Sequence, residues 1–270
     1  MLRFMLAFIL VLTAPALADD FASPWSSGQK SRARLVAGGE MSAGHYRAGL
    51  EVELAPATIT YWRNPGEAGL PPSLSFEGSD NVASVNMRFP APQKLSEGGI
   101  SANGYEKNVT FLLEITAVDA SLPVRLNYRF DYAVCEKLCL PAQASGMLSL
   151  PHVRGPYAGD LDAAEAKIPK PQPLGAQAAL SIVSVAPEQG LAKPVFLIDI
   201  TAPAAAELFA EVPEPLFATL EPVSPRRFRL RFDPVPPATD LGAQVVRLTL
   251  VSGAQAIETQ IRLDGRPVTP

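Results

Sequence analysis

Cysteine and histidine are both scarce: two of each in 270 residues. Two cysteines cannot staple a disulfide-rich scaffold, so the cores must hold by apolar burial, for which this length suffices. The histidines, His45 and His152, are isolated, and no Ser/His/Asp set with supporting context accompanies them, which leaves little material for a hydrolase. Charge of one sign is also lacking. Lys and Arg number 23 against 27 Asp and Glu, and a net charge of −4 does not make the concentrated basic footprint of a nucleic-acid binder. Gly38-Gly39 and Gly98-Gly99 read as turns and not phosphate cradles, because no strand–helix unit follows either. Beyond the first residues, no apolar run approaches the roughly 20 residues a spanning helix needs.

The first 18 residues are a different matter. Arg3, an apolar run from Phe4 to Leu12 and Ala16-Leu17-Ala18 before Asp19 have the form of a cleavable secretory leader. The mature chain is therefore expected to be exported, soluble and periplasmic, in a compartment where disulfides persist. The 27 prolines disfavour long helices and suit short strands joined by turns.

Alternation of apolar and polar residues predicts strands at Ala33–Gly38, His45–Leu54, Thr58–Trp62, Val82–Phe89, Val109–Val118, Val124–Tyr132 and Gly146–Leu150. Turn clusters such as Asn64-Pro65-Gly66, Glu97-Gly98-Gly99 and Ser101-Ala102-Asn103-Gly104 separate them. This is an antiparallel sandwich pattern, and an all-β fold is expected: an immunoglobulin-like sandwich over 28–155, then a second, smaller β-sandwich over 179–268. Between them, 156–178 reads as a Pro-rich linker, with one or two helical turns over Asp160–Lys167 and a semi-rigid extended spacer at Ile168-Pro169-Lys170-Pro171-Gln172-Pro173.

The two cysteines, Cys135 and Cys139, stand four positions apart. Bridged cysteines need Cα atoms about 4.4–6.8 Å apart, whereas four residues of extended strand span about 13 Å. A bridge thus requires the chain to double back. Closing so short a loop stabilises by only about 2 kcal/mol, which suits a bond that is made and broken better than a staple. Exchange proceeds by thiolate attack, so thiolate fraction and access govern it. Lys137 would favour a thiolate; Glu136 and Asp131 would oppose it.

Two stretches carry a family resemblance. Thr60-Tyr61-Trp62-Arg63-Asn64-Pro65-Gly66-Glu67-Ala68-Gly69-Leu70-Pro71-Pro72 and Phe130-Asp131-Tyr132-Ala133-Val134-Cys135-Glu136-Lys137-Leu138-Cys139-Leu140-Pro141-Ala142 resemble the N-terminal periplasmic domain of DsbD-type thiol:disulfide interchange proteins, in their ScsB-like branch. The resemblance implies a redox-active pair, Cys135 and Cys139, on a hairpin of an immunoglobulin-like sandwich. It implies electrons arriving from a membrane-embedded donor or a thioredoxin-like protein and leaving to oxidised periplasmic clients, with no cofactor. A shielding loop would fall near Leu95 to Tyr105, where Gly98-Gly99-Ile100 stands in place of the family's aromatic lid. Tyr61, Trp62, Arg63, Ile100, Tyr105, Tyr132 and Lys137 become the candidate supporting or docking residues. The chain ends at Pro270, so the transmembrane hub and thioredoxin domain of the family are expected on separate proteins. Two other readings stay open: an exported binding protein with an inert local disulfide, and a copper-tolerance protein in which two thiolates with Met147 or Met87 hold Cu(I).

Overall fold

In the N-terminal half the alternating segments become two facing sheets. The computed structural model describes residues 20–97, 100–188, 194–237, 239–264 and 268. The leader and the Gly98-Gly99 pair therefore lie outside the described residues. One sheet runs in the order Ser26–Ser27, Ser31–Ser42, His45–Leu54, Val109–Ala117, Val82–Arg88. The other runs Cys139–Leu150, Val124–Cys135, Ile59–Gly66, Ile100–Tyr105, Gln93–Glu97, with Ser73–Ser75 also pairing on Val124–Cys135. Every pairing in these two sheets is antiparallel. Between the sheets lies an apolar core that includes Leu35, Leu50, Trp62, Phe111, Leu113, Leu126 and Phe130.

The fold is all-β, as expected, yet several segments read as loops are strands, Asn64-Pro65-Gly66 among them, at the end of Ile59–Gly66. Ser101–Gly104 belongs to Ile100–Tyr105. Gly104 sits there because a Cβ would collide with the Thr60 carbonyl of the adjacent strand. It marks a close backbone approach, not a turn. The strand expected from Gly146 instead begins at Cys139, its Pro141 tolerated because Cys139–Leu150 is the sheet's edge.

The second domain is a smaller sandwich of two four-stranded sheets. Lys170–Pro171, Gln255–Arg262, Val245–Ser252 and Glu207–Glu211 form one; Ser181–Pro187, Val195–Thr201, Arg227–Phe232 and Ala218–Ser224 form the other. Ile182, Ile198, Leu208, Leu230, Phe232, Leu248 and Leu250 fill the space between.

The segment 156–178, expected as a spacer, is packed at both ends. Its helix, Ala158–Glu165, drives Leu161 into the first domain beside Ala22, Val36, Leu112 and Ile168. Gly38 and Gly49 make the room: a Cβ at either would strike the Leu161 side chain. The nearly buried Arg47 reaches across to Asp162, Glu165 and the Ala158 carbonyl. Lys170–Pro171 then adds a parallel strand to the second domain, against Ile257–Glu258. That short piece is the edge of its sheet.

Candidate functional site

Val124–Cys135 and Cys139–Leu150 pair continuously from Val124 opposite Leu150 to Cys135 opposite Cys139. Glu136, Lys137 and Leu138 close the hairpin. The doubling back that a bridge requires is thus a three-residue hairpin loop at the tip of a long ribbon, with the two Cα atoms 4.2 Å apart and the sulfurs bonded.

Burial along Val124–Cys135 alternates up to Tyr132 and then becomes continuous through Ala133, Val134 and Cys135. The cause is a second apolar layer on the outer face at this end. There Tyr61, Leu95, Ala102, Ala133 and Cys135 cluster, with Ile59 and Ala68 against them. Leu95 and Ala102 face each other across the Gln93–Glu97/Ile100–Tyr105 hairpin, so residues of that segment share the cluster with Cys135. The layer makes the two cysteines unequal. Cys135 is 3% exposed, while Cys139 is exposed.

Tyr61 is the polar contact to the bridge. Its hydroxyl lies 2.7 Å from Cys135 Sγ and 3.3 Å from Cys139 Sγ, although the residue is only 1% exposed. The ring is covered by Gly69, whose φ of 97° and missing Cβ allow the backbone to lie directly on it.

The charges near the tip are largely settled among themselves. Glu136 pairs with Lys30, and that hydrogen bond holds its carboxyl below the usual carboxylate range. Asp131 is bound by Arg129 at 2.9 Å and Gln143 at 2.6 Å, which lowers it likewise. The two acids expected to oppose a thiolate are therefore already countered, and Lys137 stays in the exposed loop.

Residues 32–150 match the family model described as thiol:disulfide interchange protein DsbD, N-terminal. Over these residues the chain is similar to a DsbD N-terminal domain. The N-terminal periplasmic domain of ScsB from Proteus mirabilis superposes with a TM-score of 0.70 at 20% identity, covering 91% of this chain and 99% of that one. Its fold thus extends over both sandwiches. A marsupial T cell receptor aligns at 11% identity with a TM-score of 0.19, too low to bear on the fold. No curated protein matches the sequence. No helix of the described residues is long and apolar enough to cross a membrane.

Within this DsbD-like domain the other candidate residues scatter. Trp62 is fully buried in the core, edge-on to Phe209 of the second domain at 5.8 Å. Arg63 turns to the second domain as well, to Glu211 and Glu258. Neither side chain is presented to a visiting protein. Tyr105 is core: its hydroxyl donates to the Pro90 carbonyl at 2.9 Å, and burial pushes its pKa well above that of a free tyrosine. Tyr132 stacks on Phe130 at 4.6 Å and shares a 2.7 Å hydrogen bond with Ser31. The backbone of Ile100 pairs with Glu97; its side chain lies outside the described residues.

The copper set is not assembled. Met147 lies opposite Asn127, eight positions along the strand from Cys139, or about 26 Å at the usual rise. Met87 is on the other sheet, opposite Leu113. Neither thioether reaches the sulfurs. Sequence reasoning missed Gly69 as part of the site. Gly69 was visible in the Glu67-Ala68-Gly69-Leu70-Pro71-Pro72 run, but nothing in that run indicates which ring it covers.

Proposed function

We propose that this chain is a periplasmic thiol–disulfide exchange protein whose Cys135–Cys139 bridge relays two electrons from a dithiol donor to an oxidised client. The carrying observation is the asymmetry of the pair: one sulfur open to solvent, the other buried on a tyrosine hydroxyl. The match of residues 32–150 to the DsbD N-terminal model and the leader-like first 18 residues support the reaction class and the compartment.

The chemistry follows from access. A donor thiolate attacks Cys139 Sγ; the Cys135–Cys139 bond breaks and its electron pair leaves on Cys135 Sγ, where the Tyr61 hydroxyl donates a hydrogen bond to the new thiolate. The donor's second thiol then attacks its own sulfur in the mixed disulfide. That releases Cys139 as a thiolate and leaves the donor oxidised. Running in reverse, Cys139 attacks a client disulfide, Cys135 resolves the mixed disulfide, and the client departs as a dithiol. Thioredoxin-like proteins and a membrane-embedded donor are the partners this reading calls for. Leu138, 71% exposed at the tip, offers them an apolar contact beside the open sulfur.

The test is trapping. Cys135→Ser, which leaves Cys139 free, should accumulate a stable mixed disulfide with an oxidised thioredoxin-like protein, and Cys139→Ser should not. A wild-type bridge that survives excess dithiol under native conditions would mark an inert structural disulfide and end the proposal.

A further inference from the structure

The strand that carries Tyr61 also carries the main attachment of the second domain. Two residues on from Tyr61, the Arg63 guanidinium forks onto Glu211, with Nε and Nη2 each at 2.8 Å, and Nη2 also reaches Glu258. Arg247 approaches the same two carboxylates, at 3.8 and 3.4 Å, so two cations and two anions form one cluster. Arg63 and the two carboxylates are largely withdrawn from water, with side-chain exposures of 22% for Arg63, 18% for Glu211 and 21% for Glu258, while Arg247 stays 40% exposed at the margin. The guanidinium also lies over Trp62, whose ring meets Phe209. Asn64 donates to the Ala210 carbonyl at 3.0 Å and accepts, through its own carbonyl, from Asn103 at the same distance.

The chain then turns at Gly66, φ 84°, and comes back to lay Gly69 on the Tyr61 ring. Residues 61–69 are thus a closed excursion. Both of its ends meet at the sulfur-facing tyrosine, and its middle is fastened to the second domain.

We propose that the second domain is a positioning device for the sulfur chemistry, its Glu211–Glu258 clamp on Arg63 fixing the excursion that holds the Tyr61 hydroxyl on Cys135 Sγ. The inference rests on the thiol–disulfide reading above and assigns a task to the second sandwich. Arg63, Asn64, Glu211 and Glu258 touch neither sulfur. They act through Tyr61, and Gly69 seats it from the other side. Bidentate, desolvated Arg–carboxylate pairs have the geometric stiffness this needs, and groups linked through one shared element are coupled energetically.

The test is a mutant cycle on the full chain, with two readouts: the second-order rate of bridge reduction by dithiothreitol, and the pH midpoint of the Cys135 thiolate measured in a Cys139→Ser background. Glu211→Gln with Glu258→Gln should slow reduction about two- to tenfold and raise the thiolate midpoint. In a Tyr61→Phe background the same pair of substitutions should change neither readout further. Asn64→Ala, which removes the hydrogen bond to the Ala210 carbonyl and the one its Oδ1 accepts from the Gly66 amide, should act in the same direction more weakly, and Glu211→Gln alone, which weakens only the clamp, serves if the double substitution does not fold. Wild-type rate and midpoint in the clamp variants, with Tyr61→Phe still moving both, would overturn the proposal and leave the exchange function standing. Equal losses with and without the Tyr61 hydroxyl would overturn it too, because the clamp would then act on the fold alone. A wild-type bridge that no dithiol reduces would remove the exchange reading and this inference together.

Discussion

Replacing Tyr61 by phenylalanine deletes one oxygen from the sulfur site and little else. The ring still fills its place against Gly69, and the lost atom is the one 2.7 Å from Cys135 Sγ. A hydrogen bond to a charged group contributes about 1.5–3 kcal/mol and a neutral one about 0.5–1.5 kcal/mol. The hydroxyl meets a neutral bridge sulfur before reduction and a thiolate after it. The gain on reduction is the difference, about 1 kcal/mol. One pKa unit corresponds to about 1.4 kcal/mol, so the Cys135 thiol of Tyr61→Phe should titrate roughly 0.7 unit higher than in the wild type. For a two-electron couple 30 mV is about 1.4 kcal/mol, so above the thiol pKa the pair should be harder to reduce by about 20 mV. The sign follows from which state the bond favours: the hydroxyl stabilises the reduced thiolate, its loss lowers the potential, and the difference fades at pH values where the thiol stays protonated. Thiolate ultraviolet absorbance against pH and equilibration with glutathione measure the two quantities. An unchanged thiol pKa in Tyr61→Phe would refute the reasoning, because the hydroxyl would then be a packing group that happens to lie near sulfur.

Other perturbations test the scaffold. Leu161→Ala should cost about 2–5 kcal/mol in urea denaturation, since it empties a site shaped by Gly38 and Gly49; a loss below 1 kcal/mol, roughly the value for an exposed leucine, would mean the helix is not docked. Gly104→Ala forces a Cβ against the Thr60 carbonyl and should destabilise by at least about 1–3 kcal/mol, and it should also loosen the strand that presents Tyr61. Asp162, held below its usual range chiefly by its hydrogen bond to Arg47, contributes stability that is present above the ordinary carboxylate pKa and lost as pH falls through its lowered value. Acid unfolding of Arg47→Met should accordingly show a shallower dependence below about pH 4 than the wild type. Equal slopes would place the linkage elsewhere.

Much of this fold was legible because strands announce themselves by period. Val124–Cys135 alternates strictly through Tyr132, and that is what a half-buried strand requires. The same rule hid the site. From Ala133 onward the strand is covered on both faces, so alternation stops where the chemistry begins, and the eye places the end of the strand too early. Ser101-Ala102-Asn103-Gly104 has turn composition, yet its glycine answers a steric demand from a strand forty residues away, which no local pattern encodes. Tyr61, Trp62 and Arg63 are neighbours in the sequence, yet they divide three ways: one to the sulfurs, one to the core, one to the neighbouring domain. Composition cannot make that division, because an irregularity in the pairing between Tyr61 and Gly66 sets which way each points.

The docked helix bears on how the molecule can be dissected. Cutting the polypeptide at the composition change near residue 155 would strip Leu161 from its seat, strand the Arg47 guanidinium without Asp162 and Glu165, and remove the Lys167 carbonyl that the Ala91 amide uses. A fragment meant to isolate the cysteine-bearing half should therefore run on past Lys167. One stopped short would report the fragility of a wounded sandwich rather than the reactivity of its sulfurs.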